Sequence, residues 1–354
     1  MTSDVEPATR YADVCFLTDL RFPGGNASST LDEVATLRAA GLRVLLMHCP
    51  SWMHRGKPVS TRYDGLAELC LTDPAGTERV VADTVLVRHP LVVCADDFPA
   101  VAGRITARKA AFIVNNAMRR AGGDEAYDLR RYLERFEAFD ATHRLIFPIG
   151  PLVREELAAA LPSRLLGQLA PFDWTPTFDL SQLRFQPRAS LRPPYRIGRH
   201  GRDSAEKWLQ QPEQLTQAYP TSTDYSVRIL GGDDGALAVL GERPRNWCVH
   251  PFGSLPTPRY LADLDVFVYC PHTELREAFG RAIVEAMVAG VPCVLRKLAR
   301  FTTCQRLSPT WPSSANRRRW TAWCAAWPST TRFAWPSCAM RTRPARAPSR
   351  RMRC

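Results

Sequence analysis

The 354-residue chain lacks the segments that mark membrane, secreted and fibrous proteins. None of its apolar runs reaches the roughly 18 residues that a membrane-spanning helix requires. The first ten residues, MTSDVEPATR, are polar and include two acids, so we expect no secretory signal. With 45% hydrophobic and 23% charged residues, the composition is that of a globular protein with room for two domains.

Paired cysteines are also absent. Among eleven cysteines there is no CxxC pair and no cluster of cysteine and histidine, which excludes the common zinc sites, and we expect no metal. The seven cysteines before residue 295 stand singly, several of them in apolar runs, so we interpret them as buried free thiols. Free thiols persist in reducing compartments, and we therefore expect a cytoplasmic protein.

Acidic residues are missing from one part of the chain. Residues 296–354 hold 14 Lys and Arg and no Asp or Glu, whereas residues 1–295 hold 33 basic and 35 acidic residues. The net charge of +12 therefore comes entirely from the last 59 residues. Because the remaining part is balanced in charge, we expect no nucleic-acid partner for it.

Short apolar segments alternate with amphipathic segments in a first series. The strand Val14–Leu17 runs through the turn Gly24-Gly25-Asn26 into a helix that Gly41 ends, and the strand Arg43–Met47 follows. This order opens a doubly wound parallel sheet. The further elements predicted in this series are strands Thr84–Arg88, Ala111–Val114 and Arg144–Phe147 and a helix at Glu125–Glu137.

A second series begins after a proline-rich stretch. The strand Tyr195–Ile197 leads into a turn at 198–202 and a helix from about Ser204. The later elements predicted are strands Val227–Leu230, Cys248–His250, Val266–Tyr269 and Val291–Leu295 and helices Thr257–Leu264 and Phe279–Ala289. We therefore predict an α/β protein with two Rossmann-like domains, 1–170 and 194–295, a linker at 171–193 and a tail at 296–354.

The segment HTELREAFGRAIVEAM places two carboxylates, Glu277 and Glu285, around the predicted start of a helix. The backbone N–H groups of Phe279 and Gly280 suit a phosphate, because a helix N-terminus binds anions. The carboxylates can accept hydrogen bonds from the hydroxyls of a nucleotide sugar, and His272 is a candidate sugar contact in the same loop. An ordinary helix with an acidic first turn explains the two glutamates equally well.

Gly198 and Arg199, with Lys207 eight residues further on, form a second candidate site. The glycine permits a tight turn after the strand, and the two cations suit a diphosphate. A basic surface loop is the commoner origin of such a pair. The segment lacks the G-x-G-x-x-G spacing, which argues against an NAD-dependent enzyme.

Two weaker motifs lie elsewhere. The turn Gly24-Gly25-Asn26 allows the backbone to approach a diphosphate or an acceptor, although a plain turn before a serine-capped helix is the simpler interpretation. Asp263-Leu264-Asp265 has the form of a DxD metal motif. It stands directly before an apolar strand, so we predict a helix end and a strand start there.

These motifs together resemble those of retaining GT-B glycosyltransferases, in particular of their family 4. The resemblance covers residues 14–295. It rests on Glu277 and Glu285 in EAFGRAIVEAMVAG, on Arg199 and Lys207 in IGRHGRDSAEKW, and on the turn Gly24-Gly25.

The resemblance implies two Rossmann-like domains that face a cleft. It also implies transfer of a sugar, with retention of configuration, from a nucleoside diphosphate sugar to a glycan, lipid or small-molecule acceptor. Glu285 is then expected to bind the ribose and Glu277 the donor sugar. Arg199, Lys207 and the nearby amides are expected to hold the diphosphate without a metal or cofactor. Peripheral association with a membrane stays open.

The tail departs from the family pattern. It has no Gly, Val or Ile, yet it holds five of the nine Trp. Read one base out of frame, Trp320-Thr321 becomes Asp and Trp323-Cys324 becomes Val, and the stretch from Arg300 then resembles the family's continuation. We therefore interpret the tail as the product of a frameshift after about residue 295, which truncates the second domain and leaves the tail disordered or poorly packed.

Two other functions stay open. In the first, the chain is an inactive remnant that still binds sugar nucleotides, because the truncation removes part of the second domain. In the second, the basic and aromatic tail binds single-stranded nucleic acid, which the balanced charge of the folded part disfavours.

Overall fold

The computed structural model describes residues 7–178 and 192–296, and their strands form two parallel sheets. The six strands of the first sheet are β1 (Thr9–Thr18), β2 (Val44–His48), β3 (Cys70–Leu71), β4 (Arg79–Arg88), β5 (Ile105–Val114) and β6 (Ala141–Pro148). The five strands of the second sheet are β7 (Tyr195–His200), β8 (Tyr225–Leu230), β9 (Trp247–His250), β10 (Val266–Tyr269) and β11 (Cys293–Leu295).

Helices connect the strands of both sheets. The α-helices are α1 (Gly25–Ala39), α2 (Pro90–Val93), α3 (Phe98–Ala102), α4 (Leu129–Ala138), α5 (Pro151–Ala160), α6 (Pro212–Ala218), α7 (Asp234–Leu240), α8 (Thr257–Ala262) and α9 (Arg281–Val288). Shorter 3-10 segments are Trp52–His54, Thr61–Leu69, Ser163–Gln168 and Ala205–Lys207.

The two sheets share one strand order. The first is ordered β3-β2-β1-β4-β5-β6 and the second β9-β8-β7-β10-β11, so each follows the pattern 3-2-1-4-5 and the first adds a sixth strand. Every pairing is parallel, which agrees with the predicted α/β class. The order reverses beside β1 and beside β7, and ligands of doubly wound sheets bind past the carboxyl ends of the strands at such points.

The strands are apolar because helices cover both faces of each sheet. All residues of β2 and of β10 are buried, in the segments VLLMH and VFVY. None of the seven described cysteines forms a disulfide, and four of them are buried. Cys248 is exposed, which corrects the expectation of a buried thiol at that position.

All the predicted strands correspond to observed strands, although several are longer than predicted. The helix predicted at Glu125–Glu137 begins later, at Leu129, because the Asp128 side chain caps it by accepting a hydrogen bond from the Arg131 N–H at 2.9 Å. The helix predicted from Ser204 is only the 3-10 turn Ala205–Lys207. Sequence patterns do not indicate β3, which is two residues long.

The DxD segment lies where a helix ends and a strand begins, as predicted. Asp263 follows α8 and pairs with the guanidinium groups of Arg196 and Arg228. Asp265 accepts a hydrogen bond from the Arg196 N–H at 2.7 Å. Both carboxylates therefore neutralise arginines at the amino end of β10, the end of the sheet opposite the carboxyl ends.

The first part of the predicted linker packs on the protein. The Trp174 indole donates a hydrogen bond to Glu33 at 3.1 Å and meets the Phe147 ring edge to face. The expectations for residues 179–191 and 297–354, including those for the tail, lie outside the described residues. None of the helices in 7–178 and 192–296 combines the length and the apolar character of a membrane span.

Candidate active site

A cavity of about 480 Å³ opens between the two sheets. Its walls come from loops that follow the carboxyl ends of strands in both sheets, which is the position the strand order predicts. Residues that follow strands of the first sheet include Gly25, Asn26, Trp52 and Asn115, and those that follow a strand of the second sheet include the segment 275–281.

The wall of this cavity is strongly basic. Seven basic side chains and two acidic ones line it. The basic ones are Arg88, Arg119, Arg120, Arg202, Lys207, Arg276 and Arg281, and the acidic ones are Glu206 and Glu277. A concave site with this excess of positive charge attracts anions such as the phosphates of a nucleotide.

Lys207 and Glu277 form an ion pair in the cavity wall. The Lys207 ammonium lies 2.6 Å from Oε2 of Glu277 and donates a second hydrogen bond to the Tyr269 hydroxyl at 3.0 Å. The Tyr269 hydroxyl in turn donates to the same glutamate oxygen. The three groups are hydrogen-bonded to one another. Lys207 and Glu277, which are 70 residues apart in the sequence, therefore lie side by side in the cavity wall.

Both members of this pair stay charged. Burial acts to raise the pKa of Glu277, but the Lys207 ammonium and its hydrogen bond outweigh burial and hold that pKa below the ordinary value. Burial acts to lower the pKa of Lys207, and the Glu277 carboxylate outweighs it and keeps that pKa above the ordinary value. The cation is therefore fixed in position at neutral pH and available to a phosphate.

The start of α9 differs from the sequence expectation. Gly280 adopts a left-handed conformation with φ of +78° and caps the helix, so the first helical residue is Arg281. The Gly280 N–H donates to the Glu277 carboxylate. Phe279 is buried and its ring stacks on Phe178 with centroids 6.1 Å apart. The Gly280 amide that was expected to hold a phosphate therefore holds Glu277 in place.

Arg199 and Gly198 lie inside the second domain and do not line the cavity. Only 2% of Arg199 is exposed, and its guanidinium donates to the backbone carbonyl of Lys207. A Cβ on Gly198 would overlap the Tyr260 hydroxyl and the Arg228 carbonyl, so this glycine serves close packing. The expectation that Arg199 holds a diphosphate and Gly198 approaches the donor does not agree with these positions.

Arg202, and not Arg199, is the arginine of this segment that lines the cavity. It lies two residues after β7, lines the cavity as Lys207 does, and forms no ion pair with any described carboxylate. The sequence signal for it was present, since Arg202 follows Gly201 at the end of a strand and precedes Lys207 by five residues. The strand continues three residues further than predicted, which moves the turn from Gly198 to Gly201, where φ is +145°.

Glu285 is held by two neighbours and is not among the residues that line the cavity. Oε1 accepts a hydrogen bond from the Arg281 guanidinium at 2.7 Å, and Oε2 lies 3.3 Å from Nε2 of His200. The pKa of His200 lies below its ordinary value because of burial, although the Glu285 carboxylate opposes that shift. Arg281 also pairs with Asp32 on α1 and thereby joins the two sheets.

His272 and the turn Gly24-Gly25-Asn26 take different places. The Nδ1 of His272 accepts a hydrogen bond from the Glu274 N–H at 3.1 Å, so its ring stabilises the loop and does not line the cavity. Gly25 and Asn26 line the cavity at the start of α1, whose first turn carries no acid. The amide of Asn115 donates to Oδ1 of Asn26 at 2.9 Å.

His89 is a residue that sequence patterns do not indicate. It follows β4 with φ of +83°, a strained conformation for a residue with a side chain, and strain of this kind often marks functional sites. Burial lowers its pKa to about 4, so the imidazole is neutral at pH 7. The Phe22 ring lies between His89 and His54, with centroids 4.9 and 5.2 Å away.

Comparisons with known proteins identify the fold. No family model and no curated protein matches the chain. A glycosyltransferase from Rickettsia africae is 11% identical with a TM-score of 0.55, and the match covers 90% of this chain and 88% of that one. The lipopolysaccharide outer core galactosyltransferase WaaB is 11% identical with a TM-score of 0.51 over 87% and 88% of the two chains.

A third solved structure is an α-glucosyltransferase in complex with UDP and a DNA 13-mer. It is 12% identical with a TM-score of 0.51, and the match covers 84% of this chain and 82% of that one. The chain therefore has the GT-B fold, in which two Rossmann-like units enclose a cleft.

Proposed function

We propose that this chain is a glycosyltransferase that moves a sugar from a nucleoside diphosphate sugar to an acceptor. The observation that carries the proposal is the Lys207–Glu277 ion pair in the basic wall of a cleft between two parallel sheets. The GT-B fold of the compared structures, one of which contains UDP, supports it.

In this proposal the second domain, 194–295, binds the donor and the first, 1–170, faces the acceptor. Lys207 and Arg202 hold the diphosphate, Glu277 contacts the donor sugar, and Glu285 accepts hydrogen bonds from the ribose. The reaction retains the configuration of the anomeric carbon and uses no metal.

Electrostatic stabilisation is the main chemical contribution of these residues. As the bond between the sugar and the diphosphate breaks, negative charge grows on the leaving phosphate. Lys207 and Arg202 both line the cavity and can stabilise that charge. The Lys207 ammonium can do so without moving, because Glu277 and Tyr269 already fix it. Glu277 in turn can accept a hydrogen bond from a sugar hydroxyl.

Calorimetric titration with UDP and UMP tests this proposal. We expect the wild type to bind UDP more tightly than UMP. Lys207→Gln should weaken UDP binding about tenfold or more and UMP binding less, because a charge-assisted contact contributes about 1.5–3 kcal/mol. Lys57→Gln is the matched control, since Lys57 is exposed and lies outside the cavity wall. Equal affinity of wild type and Lys207→Gln for UDP would reject the donor site, provided circular dichroism shows both folded.

Turnover separates an enzyme from a binding remnant. NMR of the product formed from a nucleoside diphosphate sugar should show the anomeric configuration of the donor. Tight UDP binding without any transfer or hydrolysis would favour the inactive remnant.

A further inference from the structure

A hydrogen-bonded turn of the first domain lines the cavity. The Arg120 N–H donates to the Asp124 carbonyl at 2.8 Å, and the Ala126 N–H donates to the Met118 carbonyl at 2.8 Å. Gly122 and Gly123 have φ of +95° and +94°, which permits the sharp reversal between these bonds. We call residues 118–126 the arginine turn, because it carries Arg119 and Arg120.

The two arginines bring positive charge that the described residues do not neutralise. Both line the cavity, and neither forms an ion pair with a carboxylate in 7–178 or 192–296. The Arg119 guanidinium donates to the Gly123 carbonyl at 2.8 Å, which fixes its direction and leaves its charge unpaired within that part of the chain. Two adjacent cations held in a cavity wall suit a phosphate or carboxylate.

An aromatic ring completes this side of the cavity. Trp52, in the 3-10 segment after β2, is 52% exposed and lines the same wall. The Arg120 guanidinium lies 5.8 Å from its ring centroid. A large ring left open at a cavity wall offers a flat apolar surface next to the cations, as pockets for ring-shaped ligands do.

These groups are separate from the donor residues. Trp52 and the arginine turn belong to the first domain, whereas Arg202, Lys207 and Glu277 belong to the second. The cavity thus has one basic wall for the proposed donor and another that this donor does not need. Glu156 on α5 joins them, since it accepts from the Met118 N–H at 2.7 Å and from the Arg276 guanidinium.

We infer that Trp52, Arg119 and Arg120 form an acceptor subsite for an anionic ring compound, such as a sugar that carries a phosphate or carboxylate. The ring face packs on Trp52 and the anionic group lies between the two guanidinium groups. This inference rests on the proposed function, because it takes the other wall of the cavity as the donor site.

The test is titration of the full chain, saturated with UDP, with glucose 6-phosphate, glucuronate and methyl glucoside. We expect both anionic sugars to bind at least about tenfold more tightly than the neutral one, because hydrogen bonds between charged groups are stronger than those between neutral groups. Glucose 6-phosphate and glucuronate show whether phosphate or carboxylate is preferred. The double variant Arg119→Gln with Arg120→Gln should remove the preference for anionic over neutral sugars. Trp52→Ala should weaken the binding of all three sugars.

Arg130→Gln is the matched control, because Arg130 is a surface residue of α4 whose side chain is 85% exposed. It should leave all affinities unchanged. Equal binding of anionic and neutral sugars to the wild type would overturn the inference. The inference would also be overturned if the double arginine variant lost UDP binding but kept glucose 6-phosphate binding. A DNA oligonucleotide that bound more tightly than any sugar through the same arginines would overturn it as well.

The outcomes for the two sites are distinguishable. If the wild type did not bind UDP but bound the anionic sugars through the two arginines, the proposed donor site would be rejected and the subsite would stand. Normal UDP binding without discrimination among the sugars would reject the subsite alone.

Discussion

The guanidinium of Arg199 lies over the indole of Trp208, 3.9 Å from the ring centroid. Both residues are almost completely buried, and the same guanidinium donates to the Lys207 carbonyl. Arg199 therefore supports the backbone from which the Lys207 ammonium reaches the cavity. In the proposed donor site Arg199 therefore acts only indirectly, through the position of Lys207.

This relationship separates the effects of two arginine variants. Arg199→Gln should lower the free energy of unfolding by about 2 kcal/mol or more, because it removes a buried charged partner and its packing on Trp208. Arg202→Gln should leave the free energy of unfolding unchanged within about 0.5 kcal/mol and should weaken UDP binding about tenfold. Urea unfolding and calorimetry measure the two effects. An Arg199→Gln variant that is as stable as the wild type but does not bind UDP would contradict the buried, structural position of Arg199.

Gly198 offers a packing test that does not involve any ligand. A Cβ at this position would overlap the Tyr260 hydroxyl, so Gly198→Ala should destabilise the protein by about 1–3 kcal/mol. Gly24→Ala is the control, since nothing lies within 4 Å of a Cβ placed there. Adding Tyr260→Phe to Gly198→Ala should recover part of the loss, measured by urea unfolding. No recovery would mean that the backbone near Arg228 sets the limit instead.

The Lys207–Glu277 pair predicts how stability depends on acidity. Since the folded-state pKa of Glu277 lies below its ordinary value of 4.5, the pair contributes fully above that pH. The contribution is lost as the pH falls through the lower folded-state value. Glu277→Gln should therefore be less stable than the wild type at pH 7, and the difference should shrink below about pH 4. A difference that stays constant from pH 7 to pH 3 in thermal melts would contradict this.

The strand count of the second sheet bears on the frameshift hypothesis. The first sheet has six strands, whereas the described part of the second has five in the same order and ends at β11. A gene with the frame restored after Leu295 should yield a more soluble and more active protein, because a covered sheet edge resists edge-to-edge association. Light scattering and transfer assays on both forms measure this. Full activity and a cooperative melt of the chain as written would reject the frameshift.

Much of the architecture was predictable because parallel strands buried on both faces are continuous apolar runs. Segments such as VLLMH and VFVY therefore mark β2 and β10 without any structure. The ends of elements were harder to predict, because single hydrogen bonds decide them. The Asp128 cap moves the start of α4, and three extra residues of β7 move the following turn.

The same limit applies to the candidate site. Spacing indicated Lys207 and Glu277, which the structure joins in one ion pair. It could not separate Arg199 from Arg202, because successive residues of a strand alternate between faces and a shift in the strand end changes which arginine meets the cavity. Trp52 and the arginine turn carry no motif, and only the folded chain brings them together.

Glu156 makes the two walls of the cavity depend on a single carboxylate. One of its oxygens accepts from the arginine turn and the other from Arg276, in the loop that carries Glu277. A ligand that orders either segment restricts this carboxylate and so prepares the other segment. By thermodynamic linkage, UDP should then change the affinity for an anionic sugar by the same factor as the sugar changes that for UDP, and Glu156→Gln should bring that factor towards one.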